Sequence, residues 1–206
     1  MPPHIIVQNI VATASVCRGL CLKRLVETLP CAEYNATRFA AVTTRLVRPK
    51  TTALFFASGK IVCTGARTIN AVRLAVRKFT RMVELTGVNV ELRDFRVQNI
   101  VASTTCSAGV DLLAMQRAHT LASSYEPELF PGLIFRPIHG TDSTVFLVFA
   151  SGRVVVTGAK TTERTVAGWT AMSRVIAPFL RDVAPDENVC ETAIMDVAEK
   201  LVSDDG

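Results

Sequence analysis

Apolar and β-branched residues alternate or run together at 5–14, 38–47, 51–57 and 60–64, a pattern that predicts four strands rich in Val, Ile, Thr and Phe. The pattern returns at roughly 95–104, 130–138, 144–150 and 153–157. Ser58-Gly59 and Ser151-Gly152 sit where hairpin turns are needed. Helical spacing predicts one helix between Arg18 and Leu29 and a long one from Ile69 to Leu85, with Val72, Val76, Phe79 and Val83 on one face. Asp111 to Ala122 and Thr162 to Leu180 show the same spacing, the latter directing Val166, Trp169, Ile176 and Phe179 toward a core. Helices flanking strands in each half predict an α+β fold with one antiparallel sheet and its helices on one side.

The two halves are copies of one another. Val7-Gln8-Asn9-Ile10-Val11-Ala12 recurs unchanged as Val97-Gln98-Asn99-Ile100-Val101-Ala102. Phe56-Ala57-Ser58-Gly59 returns as Phe149-Ala150-Ser151-Gly152, and Thr64-Gly65-Ala66 as Thr157-Gly158-Ala159. A duplicated chain suits a partner with its own approximate dyad, of which duplex DNA is the commonest. Lys60-Ile61-Val62-Cys63-Thr64 and Val145-Phe146-Leu147-Val148-Phe149 alternate little, so these strands are expected to be covered on both faces. Four helices cover one face only, which leaves the other for a partner or for a second copy of the chain.

Charge sharpens that expectation. The chain carries +5 overall, yet residues 182–206 hold eight acids (Asp182, Asp186, Glu187, Glu191, Asp196, Glu199, Asp204 and Asp205) against Lys200, so the remainder stands at +12. A body that basic fits a polyanion, although a solvated basic surface has the same composition. No apolar stretch approaches the ~18 residues of a membrane span, and Met1-Pro2-Pro3-His4 lacks the basic segment of a signal peptide. A soluble intracellular protein is expected. Six cysteines show no paired-cysteine spacing and do not repeat between halves, which argues for reduced thiols. Cys17 and Cys21, four apart, would share a helical face, but further metal ligands are wanting.

Several runs carry a specific resemblance: Glu33-Tyr34-Asn35, Arg38-Phe39-Ala40-Ala41-Val42, Thr51-Thr52-Ala53-Leu54, Ser58-Gly59-Lys60, Cys63-Thr64-Gly65-Ala66, and Ser123 through Ile134 with its Tyr125-Glu126-Pro127-Glu128-Leu129-Phe130-Pro131-Gly132. Over about residues 5–181 the chain is similar to the TATA-box-binding protein family. The resemblance implies a saddle of two pseudo-symmetric repeats, 5–93 and 94–181, forming one ten-stranded antiparallel sheet with four helices on the convex face. Residues 182–206 would be an acidic extension without a counterpart in the family core.

The resemblance also implies roles. Phe39 with Phe56, and Phe130 with Phe149, would intercalate into the minor groove of promoter DNA. Asn9, Asn99, Thr64 and Thr157 would donate to the adenine N3 and thymine O2 acceptors of A·T pairs. Val11, Val62, Val101, Val155, Leu54 and Leu147 would form an apolar floor that disfavours the guanine amino group. Arg38, Arg45, Lys60, Arg136, Arg153 and Lys160 would hold phosphates, which positions the protein without reading sequence. Glu126, Glu128 and Leu129 would dock a transcription-factor-IIB-like partner, and Tyr34 and Asn35 a factor-IIA-like one. Arg73, Arg77, Lys78 and Arg81, at helical spacing on the long first helix, would face solvent or protein partners. Read from the residues alone, Asn9 and Asn99 could instead satisfy backbone groups, and the phenylalanines could be core.

The first helix of the second half, around Cys106 to His119, departs from the family, as do two further stretches: Ala36-Thr37 replaces a usual Pro-Lys pair, and Pro137 to Thr144 is a longer loop without lysine. Both remove positive charge beside the expected DNA edge. The expected function is nuclear: a transcription initiation factor that bends promoter DNA and nucleates assembly of the initiation complex, the alternative being a related scaffold with weak TATA specificity. Half-saddles similar to these also occur appended to repair glycosylases and ribonucleases, but this chain has no catalytic domain beside them. With three histidines and no matched carboxylates, phosphate loop or nucleophile elbow, no catalytic residue, cofactor or metal is expected.

Overall fold

The computed structural model describes residues 4–138 and 143–181. They fold as a ten-stranded antiparallel sheet with four helices and a small two-stranded ribbon. By packing the described residues divide into Gln8–Gln98 and a second unit of 4–7, 99–138 and 143–181.

The first unit contains β1 (Ile6–Ser15), α1 (Leu22–Thr28), β2 (Glu33–Asn35), β3 (Phe39–Leu46), β4 (Thr51–Phe56), β5 (Lys60–Ala66) and α2 (Ile69–Leu85). Its strands lie in the order β2-β3-β4-β5-β1. Helix α2 has the predicted limits. Thr68 caps it, its hydroxyl accepting from the Ala71 N–H at 3.1 Å, and Val72, Val76, Phe79 and Val83 are all sealed against the sheet. The Phe79 ring meets Phe55 of β4 edge-on, centroids 6.2 Å apart. Burying one such ring stabilises by about 1.5–3 kcal/mol.

The second unit repeats the plan with β6 (Arg93–Thr105), β7 (Gly109–Val110), α3 (Leu112–Ala118), β8 (Ser123–Ser124), β9 (Gly132–Phe135), β10 (Val145–Phe149), β11 (Arg153–Ala159), α4 (Thr162–Ile176), a 3-10 turn over Ala177–Phe179, and β12 (Leu180–Arg181). Its strands run β6-β11-β10-β9-β8, while β12 pairs with β7. Thr161 caps α4 through the Arg164 N–H at 3.2 Å, as Thr68 caps α2. Arg181 and Asp111 form an ion pair, and Asp111 caps α3 as well.

Four expectations need correction. Val166 is 43% exposed; the face of α4 that meets the sheet is Thr165, Trp169, Met172 and Ile176, with Phe179 at the margin. Trp169 and Ile176 set that face, and one residue of rotation, about 100°, carries Val166 to solvent while Thr165 satisfies its hydroxyl on the Thr161 carbonyl at 3.0 Å. The Lys60–Thr64 strand is also not sealed on both faces. Ile61 and Cys63 are buried under α2, but Val62 and Thr64 stay partly exposed, whereas all five residues of β10 are buried. Helix α1 begins only at Leu22, so Cys17 lies in the preceding loop and shares no helical face with Cys21. Finally, β2, β7, β8 and β12 have two or three residues each, too short for periodicity to reveal.

The hairpin turns are where they were expected. Gly59 and Gly152 both adopt φ +83, and a Cβ there would lie 2.1 and 2.2 Å from the carbonyl oxygens of Cys17 and Ala108. Only glycine fits. No described helix is long and apolar enough to cross a membrane. Burial pushes the Cys63 thiol up to about 12, so it is protonated at neutral pH and a poor nucleophile.

Candidate nucleic-acid interface

Period-two alternation sorts each strand into a face under the helices and a face opposite. On the opposite face of the first unit lie Asn9, Val11 and Thr13 of β1, Leu54 and Phe56 of β4, and Val62 and Thr64 of β5. Register sets Leu54 across from Val62 on one side and Thr43 on the other, and Val62 across from Thr13. The second unit has the same row: Ile134, Leu147, Val155 and Ser103, each opposite the next. Val101, Val145, Leu147, Phe149 and Val155 form a cluster of their own, apart from the core that Trp169, Met172 and Ile176 make with Phe146 and Val148.

Each unit places one aromatic pair at the end of this row. Phe39 and Phe56 meet edge-on with centroids 6.0 Å apart and planes at 73°; Phe130 and Phe149 do so at 5.8 Å and 68°. Phe39 is 50% exposed, an unusual position for a ring that could otherwise have been core. Gly132 makes room for the second pair, since a Cβ there would approach Phe130 to 2.7 Å and Phe149 to 2.9 Å.

At the other end of the row each unit has an asparagine and a threonine. Asn9 Nδ2 donates to Thr64 Oγ1 at 2.9 Å, and Asn9 Oδ1 accepts the Gly65 N–H at 2.7 Å. Asn99 Nδ2 donates to Thr157 Oγ1 at 3.1 Å, and Asn99 Oδ1 accepts the Gly158 N–H at 2.8 Å. The glycines adopt φ +99 and +90 where the pairing register slips. The asparagines therefore do satisfy a backbone group, as the simpler reading held, through the carbonyl oxygen. The Thr64 and Thr157 hydroxyls also lie within donating reach of Asn9 and Asn99 Oδ1, at 3.2 and 3.3 Å, so each pair is joined by two contacts and sets an amide NH2 and a hydroxyl side by side.

The basic residues expected at phosphates occupy matching places. Arg45 of β3 and Arg136 after β9 correspond, as do Lys60 and Arg153 at the starts of β5 and β11; Lys160 follows β11, and Arg38 precedes β3. Arg153 is partly buried and the others are exposed. Four members of the face were missed in the sequence: Thr13, Thr43, Ser103 and Ile134, which lack the charge or ring that drew attention to their neighbours. Exposed Arg67 was missed too, although it stands to β5 as Lys160 stands to β11 and the repeat offset alone would have found it.

The expected partner residues sit on turns and on α2. Tyr34 is half-buried, and Asn35 closes its turn by accepting the Thr37 hydroxyl at 2.7 Å. Glu126 and Glu128 are exposed in a turn closed by the Leu129 and Phe130 N–H groups on the Glu126 carbonyl, and Leu129 is 81% exposed. On α2, Arg73 lies over the Phe95 ring at 5.5 Å, Lys78 donates to the Arg48 carbonyl at 2.7 Å and Arg81 pairs with Glu84 at 2.7 Å; Arg77 is exposed beside them. Part of the lysine-free loop, 139–142, lies outside the described residues, as does all of 182–206. Among the described residues no group of three His, Cys, Asp or Glu side chains could hold a metal ion.

Comparison with known proteins agrees with this geometry. The family model described as transcription factor TFIID, or TATA-binding protein, matches residues 4–85 and 94–179. TATA-box-binding protein 2 of Arabidopsis thaliana is 46% identical over 175 residues, 85% of this chain and 84% of the plant protein. The TATA-box-binding protein of Candida albicans is 45% identical over 175 residues, 85% of this chain and 73% of that one. Among solved structures, the Methanococcus jannaschii TBP superposes with a TM-score of 0.75 at 30% identity, covering 85% of this chain and 99% of the archaeal one. With both halves of the chain matched, and with the aromatic and amide pairs repeated at one register, the chain belongs to the TATA-binding protein family of non-enzymatic, DNA-binding transcription factors.

Proposed function

We propose that this chain is a nuclear general transcription initiation factor that seats the helix-free face of its sheet on the minor groove of A·T-rich promoter DNA and bends it. The observation that carries this reading is the duplicated set on that face: an edge-on phenylalanine pair, an apolar row and an Asn–Thr pair in each unit. In the minor groove, A·T pairs present acceptors only, and Asn9, Asn99, Thr64 and Thr157 bring donors. Leu54, Val62, Leu147 and Val155, with Val11 and Val101, supply an apolar floor against which a guanine amino group would be buried unpaired. Opening a base step costs a few kcal/mol in this family as in other wedge proteins, and the inserted rings offset it. Arg38, Arg45, Lys60, Arg136, Arg153 and Lys160 then follow the phosphates.

Selection of bound duplexes from a random pool at fixed salt tests this. Enrichment of A·T-rich elements, with affinity falling as salt rises, is the expected result. Recovery without base preference would instead favour the scaffold with weak TATA specificity.

Partner docking belongs to the same proposal. Glu126, Glu128 and exposed Leu129 would repel phosphate but suit a basic protein, here a factor-IIB-like partner. Tyr34 and Asn35 occupy the corresponding first-unit turn, for a factor-IIA-like one, and Arg73, Arg77, Lys78 and Arg81 offer a basic helix face. Reversing charge at Glu126 and Glu128 should abolish the ternary complex in a gel-shift assay while DNA binding is kept. Survival of both would remove this turn from the interface.

A further inference from the structure

The rows on the helix-free faces of the two units are not chemically alike at their outer ends. Pairing across strands gives Glu33, Thr43, Leu54 and Val62 in the first unit and Ser124, Ile134, Leu147 and Val155 in the second, each residue opposite the next. The inner two positions are apolar in both. Where the second unit carries Ile134, the first carries Thr43, and beyond it stands the carboxylate of Glu33 in place of the Ser124 hydroxyl. Thr43 and Ile134 hold the same station beside the aromatic pairs. Thr43 lies two residues along β3 from Ala41, which faces Phe56, and Ile134 lies two along β9 from Gly132, which faces Phe149. Both are partly exposed. Other threonines nearby have their hydroxyls engaged: Thr64 is bonded to Asn9 at 2.9 Å, Thr13 accepts from Gln98 Nε2 at 2.7 Å, and Thr44 donates to the Pro30 carbonyl at 3.0 Å. Among the described residues the Thr43 side chain has no such partner.

We propose that Thr43 sets the sequence selectivity of the first unit by accepting a hydrogen bond from the 2-amino group of a guanine, so that a G·C pair is admitted under this unit and refused under the second. The proposal rests on the minor-groove function given above. In that groove a G·C pair differs from A·T by this one donor. Against Ile134 the amino group would lose its water and gain no acceptor, a penalty worth about tenfold or more in affinity. Thr43 replaces the water, because its hydroxyl oxygen can accept from the amino group. The Glu33 carboxylate beside it is an acceptor only and biases the place further toward a donor. With A·T the same hydroxyl donates to adenine N3 or thymine O2, so Thr43 accommodates both kinds of pair. Units that differ in this way read the two ends of a symmetric A·T element differently, and a single G·C pair fixes which unit lies at which end.

The test moves a single G·C pair along an A·T-rich duplex and compares each duplex with one carrying I·C at the same place, since inosine lacks only the 2-amino group. At the best-tolerated position the wild type should bind the two within about twofold, whereas Thr43→Val, of the same shape, should favour I·C about tenfold. With G·C at both symmetry-related positions the wild type itself should favour I·C about tenfold, and Ile134→Thr should remove most of that difference. A wild type that favours I·C about tenfold at every position overturns the role of Thr43. So does a Thr43→Val variant with the wild-type ratio of G·C to I·C binding, including one that loses affinity equally for every duplex. In either case continued binding of the all-A·T duplex leaves the minor-groove function standing. A wild type that binds none of the duplexes overturns both.

Discussion

Phe39→Ala with Phe56→Ala is expected to leave the fold standing and to remove most of the bend from a bound A·T-rich duplex. Phe39 is 50% exposed and Phe56 partly so, which keeps the stability loss well under the ~3–5 kcal/mol of a core Phe→Ala change. The functional loss is larger. Each ring of the edge-on pair supports the other, and without them nothing offsets the few kcal/mol that an opened base step costs. Energy transfer between dyes at the duplex ends should therefore fall, and the bound lifetime should shorten by about tenfold or more, since changes within one interface act mainly on dissociation. Unchanged transfer at saturation would remove these rings from the DNA contact. The first unit gives the cleaner test: Phe149 is 1% exposed, and its loss would combine unfolding with impaired binding.

Asn9→Ala and Thr64→Val should separate the two tasks of the amide pair. Asn9→Ala orphans the Gly65 N–H that Oδ1 holds at 2.7 Å and should cost about 1–3 kcal/mol in urea unfolding. Thr64→Val keeps the shape and leaves the Asn9–Gly65 bond in place, so its stability loss should be smaller. On DNA the two should fail alike. Each breaks the 2.9 Å bond that aims the pair and removes a donor from the same groove position, and affinity for an A·T-rich duplex should drop about tenfold in either. The double variant should lose scarcely more affinity than the singles, because the two side chains act as one unit. Additive losses in binding would mean that the residues contact DNA independently.

Much of this candidate interface was legible in the chain because duplication supplies a second reading of each position. Phe56 and Phe149, Asn9 and Asn99, and Thr64 and Thr157 are pairs at offsets of 93, 90 and 93, and a residue type kept in both copies is held by something the copies share. Helix α2 was equally clear, since four apolar residues at a 3.6 period outweigh any local ambiguity. Where the signal was short or off by one position, reading failed. Val166 and Thr165 differ by a single step of the helix, and only the docking of Trp169 and Met172 on the sheet decides which is buried. Thr13, Thr43, Ser103 and Ile134 gave no sign of belonging to the face, because membership depends on which residues lie opposite one another across strands.

The sequence by itself therefore determined the duplication, the class of fold, the aromatic and amide pairs and the partition of charge, all of which are properties of spacing and composition. Only the tertiary structure decided which oxygen of the paired side chains is spent on a backbone N–H, which face each strand gives to the helices, and that the matching faces of the two units differ in exposure. Those are outcomes of contacts between residues distant in the chain, where identical local sequence, such as Val7–Ala12 and Val97–Ala102, leaves Val11 partly exposed and Val101 sealed because the surroundings of the two copies differ.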